Sequence, residues 1–344
     1  MIYNDLEKIH SYLAKNPGKI VITSHKNPDG DAVGSTLALF EYLKIKQLDV
    51  SAILPNAYPS FLNWLPNSDQ IIIYQDQAKK AQKLISESQT LFSLDYNALH
   101  RTGDMRTILG SFIGTKILID HHLEPDKEFD FLYSKTQISS TAEMVFDLIE
   151  SAGDKHLINK AIGEALYVGI MTDTGSFSYA CNHPNTFHIA GTLINLGIDG
   201  ERVHRLVYDT FSEDRINLLG FCLNERMTVR ADLGVAYIYL RSADLKKFNY
   251  QVGDTEGVVN YALSIDKVQV AVLLTERDKL IRLSFRSKSE FSVNEFARKY
   301  FEGGGHQKAA GGNSAKSMDE TLVKLIKSFE SHKEEILASA NNNH

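Results

Sequence analysis

Ile20-Val21-Ile22-Thr23-Ser24-His25-Lys26-Asn27-Pro28-Asp29-Gly30-Asp31 and Lys116-Ile117-Leu118-Ile119-Asp120-His121-His122 each run from an apolar stretch straight into histidine and aspartate. Short continuous apolar runs are the mark of parallel strands buried on both faces, so each stretch reads as a strand that delivers metal-type ligands where it stops. In an open parallel α/β sheet, ligands collect in the crevice at the carboxyl ends of the strands. Residues distant in sequence meet there, which is how a dinuclear site is built.

Outward from these two stretches, strand-like runs at 50–54, 71–74 and 91–94 alternate with helical periodicity at 31–46 and 141–151. That alternation predicts βαβ units and a mostly parallel sheet. Asp31 reads as opening the first helix, where free amides and the positive dipole end favour an anion. Ser140-Thr141-Ala142-Glu143 reads as a capping box. Ile162, Leu166, Gly169 and Ile170 follow helical spacing and place Asp173 just past the last turn.

Residues 201–227 read as a helical linker, with Val203, Leu206, Val207 and Phe211 on one face and Leu218, Leu219 and Cys222 after a polar break. Beyond it, 235–240, 268–275 and 280–286 read as strands and 254–263, 292–301 and 318–338 as helices, a second and smaller α/β unit. The expected division is 1–200, the linker 201–227, and 228–340. The Asn-rich tail at 341–343 reads as disordered.

At 344 residues the chain exceeds the usual span of one domain and can bury two cores. Its two cysteines, Cys181 and Cys222, form no Cys-x-x-Cys pair, which argues against a disulfide scaffold and a thiolate zinc site and suits a reducing, cytoplasmic location. The first twenty residues carry charges where a signal peptide needs an apolar core, and no run is long enough to span a membrane. A net charge of -6 disfavours wrapping of long nucleic acid, which needs a broad basic surface. Between Arg277 and Lys308, however, eight Lys/Arg stand against four Asp/Glu, a local surplus that attracts an anionic ligand.

Two divalent cations roughly 3.5–4 Å apart need a bridging carboxylate, and together they generate hydroxide and clamp attacking and leaving oxygens. Asp95 ends the run Leu91-Phe92-Ser93-Leu94 and is the natural bridge; Asp173 adds a carboxylate from a helix end. Singly, each such residue is more often a packed histidine or a helix-capping aspartate. As an ordered set after three strands and a helix they point to metal, and oxygen and imidazole ligands suit manganese, cobalt or iron more than structural zinc, with manganese the expected ion and magnesium or cobalt its alternatives.

The set resembles the DHH phosphoesterase superfamily: His25, Asp29 and Asp31 match its first motif, Asp95 its second, Asp120-His121-His122 its name-giving motif and Asp173 its fourth. The resemblance implies one cation on His25, Asp29 and Asp95 and another on Asp31, Asp95, His121 and Asp173. Asp120 would support from behind, and His122 would face substrate. Gly303-Gly304-Gly305-His306 with Lys308 is similar to the glycine-rich loop of the DHH-associated C-terminal domain. Arg286, Ser287, Gly304, Gly305, His306 and Lys308 are thereby expected to contact substrate, with Arg101 a further phosphate contact, in a cleft between the two domains.

Within the superfamily, size and layout resemble the branch of oligoribonucleases that also dephosphorylate adenosine 3′,5′-bisphosphate. The activity implied is cleavage of RNA of two to about five nucleotides to 5′-mononucleotides by a metal-bridging hydroxide. A dedicated bisphosphate phosphatase, a linear-dinucleotide phosphodiesterase and a non-catalytic nucleotide sensor are the alternatives. A homodimer is left open.

Overall fold

The apolar runs become strands because each is covered on both faces. In the computed structural model, which describes residues 2–15, 17–277 and 279–339, the chain divides into two units, Met1–Thr210 and Phe211–His344. The Asn-rich tail lies outside the described residues. Among the described residues, no helix is long and apolar enough to cross a membrane.

The first unit holds β1 (Ile2–Asn4), β2 (Ile20–Thr23), β3 (Val50–Leu54), β4 (Ile72–Ile73), β5 (Thr90–Leu94), β6 (Thr115–Asp120) and β7 (Phe131–Lys135). They form one sheet in the order β1-β7-β6-β5-β2-β3-β4, parallel throughout except for β1 against β7. Ile20, Ile22, Phe92, Leu94, Ile117 and Ile119 pack on one face against the helices Gly30–Ile45, Thr141–Ser151 and Lys160–Asp173. Val21, Leu91 and Leu118 pack on the other, beneath the helix Tyr74–Glu87. The run at 71–74 shortens to two strand residues, since Tyr74 already begins that helix. From β2 the chain builds outward through β3 to β4, then returns to the opposite side of β2 for β5, β6 and β7. The order reverses between β2 and β5, and such a switch point opens the crevice in which α/β proteins bind ligands.

The second unit contains β8 (Met227–Arg230), β9 (Val235–Leu240), β10 (Val270–Arg277), β11 (Leu280–Ser287), β12 (Gly304–Gly305) and β13 (Ala309–Ser314), ordered β12-β13-β11-β10-β9-β8. Only β9 and β10 run parallel. Val270, Val272, Leu274, Leu283 and Phe285 pack on Phe296, Phe301, Leu325 and Phe329, while Ala236, Ile238, Ala271 and Leu273 pack on Val258, Val259 and Ala262.

The stretch 201–227 is not one helix. Gly200–Tyr208 buries Val203 and Val207 in the first core. Asp209 and Thr210 leave helical geometry, Ser212 caps a new helix over Glu213–Phe221, and Leu218 and Cys222 enter the second core. The expected helix over 318–338 likewise divides into Met318–Glu330 and Lys333–Ala338, and the one over 254–263 starts only at Val258, after Gly257 in a left-handed turn.

Candidate metal centre

His25, Asp95 and His121 arrive at the carboxyl ends of strands, and Asp29, Asp31 and Asp173 at helix ends. His25 follows β2 and is buried. Asp29, rather than Asp31, caps the helix Gly30–Ile45: its Oδ1 accepts the N–H groups of Asp31 and Ala32 at 3.1 and 3.0 Å, leaving Oδ2 3.8 Å from His25 Nε2. Asp31 sits in the first turn of that helix and is 1% exposed. Asp95 follows β5 with φ +63°, a left-handed conformation uncommon for a residue other than glycine, and its N–H donates to the Ile119 carbonyl at 3.1 Å. His121 follows β6, and Asp173 is the last residue of its helix rather than the one beyond it.

Among the described residues, two candidate ligand sets in the first unit share no residue. His25, Asp29 and Asp95 form one and Asp31, His121 and Asp173 the other, the ligand atoms of each lying within 4.8 Å of one another. Asp95 faces both. Its Oδ2 lies 3.4 Å from His25 Nε2 and its Oδ1 lies 3.4 Å from His121 Nε2. His121 Nε2 is also 3.4 Å from Asp173 Oδ2 and 3.9 Å from Asp31 Oδ2.

The tautomers follow from the other ring nitrogens. His25 Nδ1 meets the Lys26 carbonyl at 3.0 Å and His121 Nδ1 the Ile138 carbonyl at 3.1 Å. Carbonyls only accept, so Nδ1 carries a proton in both and Nε2 faces inward, its lone pair available to a cation once any proton there is lost. Asp120 serves a different ring. Its Oδ1 accepts His122 Nδ1–H at 2.7 Å and its Oδ2 accepts the His122 amide at 3.1 Å, so it fixes His122, while His25 and His121 are oriented by main-chain carbonyls.

The electrostatics match a place for cations. Burial and the charges of Asp95 and Asp173 push the Asp31 carboxyl well above its usual range. Burial works against charge on His121 and His25, yet Asp95 and the surrounding aspartates outweigh it, and both are raised, His121 strongly. Burial would lift Asp95 too, but His121 and His25 hold it well below the carboxylate range. In His122 burial, the charge of Arg101 and His121 all act together and depress it well below an ordinary imidazole. A pocket that traps protons beside four carboxylates is one where divalent cations take their place. The donors are all oxygen and imidazole nitrogen. Cys181 donates its thiol to the Phe177 carbonyl and Cys222 lies in the second unit's core, so neither belongs to the set.

Thr141 is the residue that sequence reasoning passed over, although its motif was in view. Ser140 accepts the Glu143 amide at 3.2 Å, but the Glu143 carboxylate binds Ser139 and Thr186 at 2.8 and 2.9 Å, so only half of the capping box forms. The first amides of the helix go instead to Asp31: Thr141 N donates to Oδ2 at 2.6 Å and Ala142 N to Oδ1 at 2.9 Å. Thr141 Oγ1 adds a bond to Asp95 Oδ1 at 3.0 Å.

In the second unit, β11 alternates, putting Arg282, Ser284 and Arg286 on a half-exposed face opposite Asn313, Gly311 and Ala309. Ser287 falls on the buried face beside Phe285, where its hydroxyl meets Ser289 at 3.2 Å, so the strand's own period turns it to the face opposite Arg286. Gly304 and Gly305 pair with Gly311 and Ala310, and the His306 amide closes a turn on the Ala309 carbonyl at 2.7 Å. Lys308 pairs with Glu290 at 3.0 Å.

Residues 19–170 match the DHH family, N-terminal domain, and residues 232–334 match the DHHA1 domain. Over 310 residues, covering 90% of this chain and 92% of the relative, identity is 31% to the "probable bifunctional oligoribonuclease and PAP phosphatase NrnA" of Streptococcus mutans. The chain belongs to the DHH family. A bifunctional oligoribonuclease and PAP phosphatase NrnA of Bacillus subtilis is 28% identical over 88% of this DHH chain and 90% of its own. The crystal structure of an exopolyphosphatase-related protein from Bacteroides fragilis is 39% identical and superposes with a TM-score of 0.89, covering 96% and 98% of the two chains. The DHH chain is thus a hydrolase of phosphate esters.

Proposed function

We propose that this DHH hydrolase degrades RNA of two to about five nucleotides to 5′-mononucleotides and dephosphorylates adenosine 3′,5′-bisphosphate. The observation that carries the reading is Asp95 offering one oxygen to each of two ligand sets. His25, Asp29 and Asp95 hold one cation, and Asp31, Asp95, His121 and Asp173 the other; manganese is the first choice, with magnesium and cobalt the alternatives. The pair, when bound, supplies an activated water and neutralises charge on the phosphoryl oxygens. The relatives' names support the two substrate classes.

The remaining work falls to the chain's own groups. His122, its Nδ1–H committed to Asp120, stabilises charge on the phosphoryl group or protonates the leaving oxygen. Arg101, whose charge is felt at both His25 and His122, binds phosphate. In the second unit, Arg286 carries a fork of donors suited to phosphate, and the Gly304–His306 turn offers main-chain amides and an imidazole suited to a nucleotide.

The test is turnover with added manganese on a 5′-labelled RNA dinucleotide, a 24-mer and adenosine 3′,5′-bisphosphate. Rapid loss of the dinucleotide and the bisphosphate with the 24-mer spared is expected. Hydrolysis of the bisphosphate alone would make the enzyme a nucleotide phosphatase, and equal loss of the 24-mer would remove the short-RNA reading.

A further inference from the structure

The amino terminus of the helix Thr141–Ser151 touches both ligand sets, and one of its contacts comes from a side chain. The amides of Thr141 and Ala142 hold the two oxygens of Asp31, and any residue at these positions other than proline supplies them. The bond from Thr141 Oγ1 to Asp95 Oδ1, at 3.0 Å, depends on the hydroxyl.

We infer that Thr141 is a positioning residue of the cation pair, its hydroxyl setting the rotation of the Asp95 carboxylate so that one oxygen faces each ligand set. The inference rests on the reading of the site as two cation positions.

The main chain of Asp95 is already fixed, left-handed and tied to Ile119, so the residual freedom lies in the last side-chain torsion. That torsion is soft and broadly distributed in aspartate. Swinging it exchanges which oxygen faces which set. Thr141 acts on Oδ1, the oxygen nearest His121, and leaves Oδ2 to the His25 side. A carboxylate oxygen has two lone pairs, so Oδ1 accepts the hydroxyl and a cation together. Thr141 is fully buried, so water does not replace the bond when the hydroxyl is removed. The consequence is unequal: it falls most on the set holding Asp31, His121 and Asp173, whose shared oxygen receives the hydroxyl, and less on the set holding His25 and Asp29.

The test is calorimetric titration of manganese into the full chain stripped with chelator, using wild type, Thr141→Val and Thr141→Ser. Loss of an outer hydrogen bond typically costs a metal site about 10–100-fold in affinity, so Thr141→Val is expected to weaken one of two sites by about tenfold or more while the other moves less than about twofold. Thr141→Ser, which keeps the hydroxyl, retains both. Turnover of the valine variant falls through kcat with KM little changed. Thermal unfolding in chelator checks that the valine variant is folded; if it is not, Thr141→Ala is titrated in its place. Unchanged affinities without the hydroxyl, or a serine variant as weak as valine, overturn the inference alone. A wild-type chain that binds no pair of cations overturns the site reading together with it.

Discussion

Asp95 shows how much one side chain is asked to do. It leaves the strand in a left-handed conformation, touches two histidines and receives a threonine hydroxyl, and those histidines keep it ionised in a dry pocket. Asp95→Ala and His121→Ala each remove a proposed ligand rather than a ligand's support, so turnover is expected to fall by at least about a hundredfold, the upper end of what losing an outer partner costs. Near-normal rates in steady-state assays of either variant would refute the two-cation site. The raised His25 and His121, together with the raised Asp31, hold protons that cations must expel. Proton occupancy therefore falls on binding, and manganese affinity rises with pH. Calorimetry near pH 7 in two buffers of different ionisation enthalpy should show net proton release; uptake would reverse the electrostatic argument. The sequence made these ligands legible because each sits where an apolar run or a helix ends. It did not make legible the partner of Asp120, since Asp120 precedes two histidines and only the bend of the chain chooses between them.

At the level of elements, the three helices on one face of the first sheet pack closely enough to need glycine. A Cβ on Gly34 would meet the Ala165 carbonyl oxygen at 2.5 Å, and one on Gly169 would meet Ala142 Cβ at 2.5 Å and Asp31 Oδ1 at 2.8 Å. Gly169 thus joins packing to chemistry, for the atom it leaves out is the one that would displace a ligand. Gly169→Ala is expected to cost about 1–3 kcal/mol by overpacking, measured by urea unfolding in chelator, and to weaken manganese binding in addition. Unaltered stability would mean that the helices separate without penalty. Helical spacing placed Gly169 on an apolar face, but spacing carries no interhelix distance, so the reason for glycine there was hidden. Strand positions were legible because both faces are buried. Helix ends were not, where Ser331 and His332 interrupt an otherwise unbroken amphipathic pattern.

The whole chain is two units with separate cores, each with its own sheet. Length and the return of strand and helix patterns beyond residue 227 made that duality legible. The break at Asp209–Ser212 was masked by apolar residues on both sides, Val207 serving the first core and Leu218 the second. A fragment of residues 1–210 is expected to fold on its own and bind manganese, while losing most turnover on RNA for want of Arg286 and the Gly304–His306 turn. Circular dichroism and calorimetry of the fragment check the first part, and an unfolded fragment would show that the second unit is needed for the core.

Every ligand of the proposed cation pair lies between His25 and Asp173, inside a unit that closes at Thr210. Domains near the amino terminus fold first as a chain leaves the ribosome. The nascent polypeptide therefore carries a finished set of donors while the last third of the protein is still being translated, and cations present at that moment can load the first unit before the second has been made.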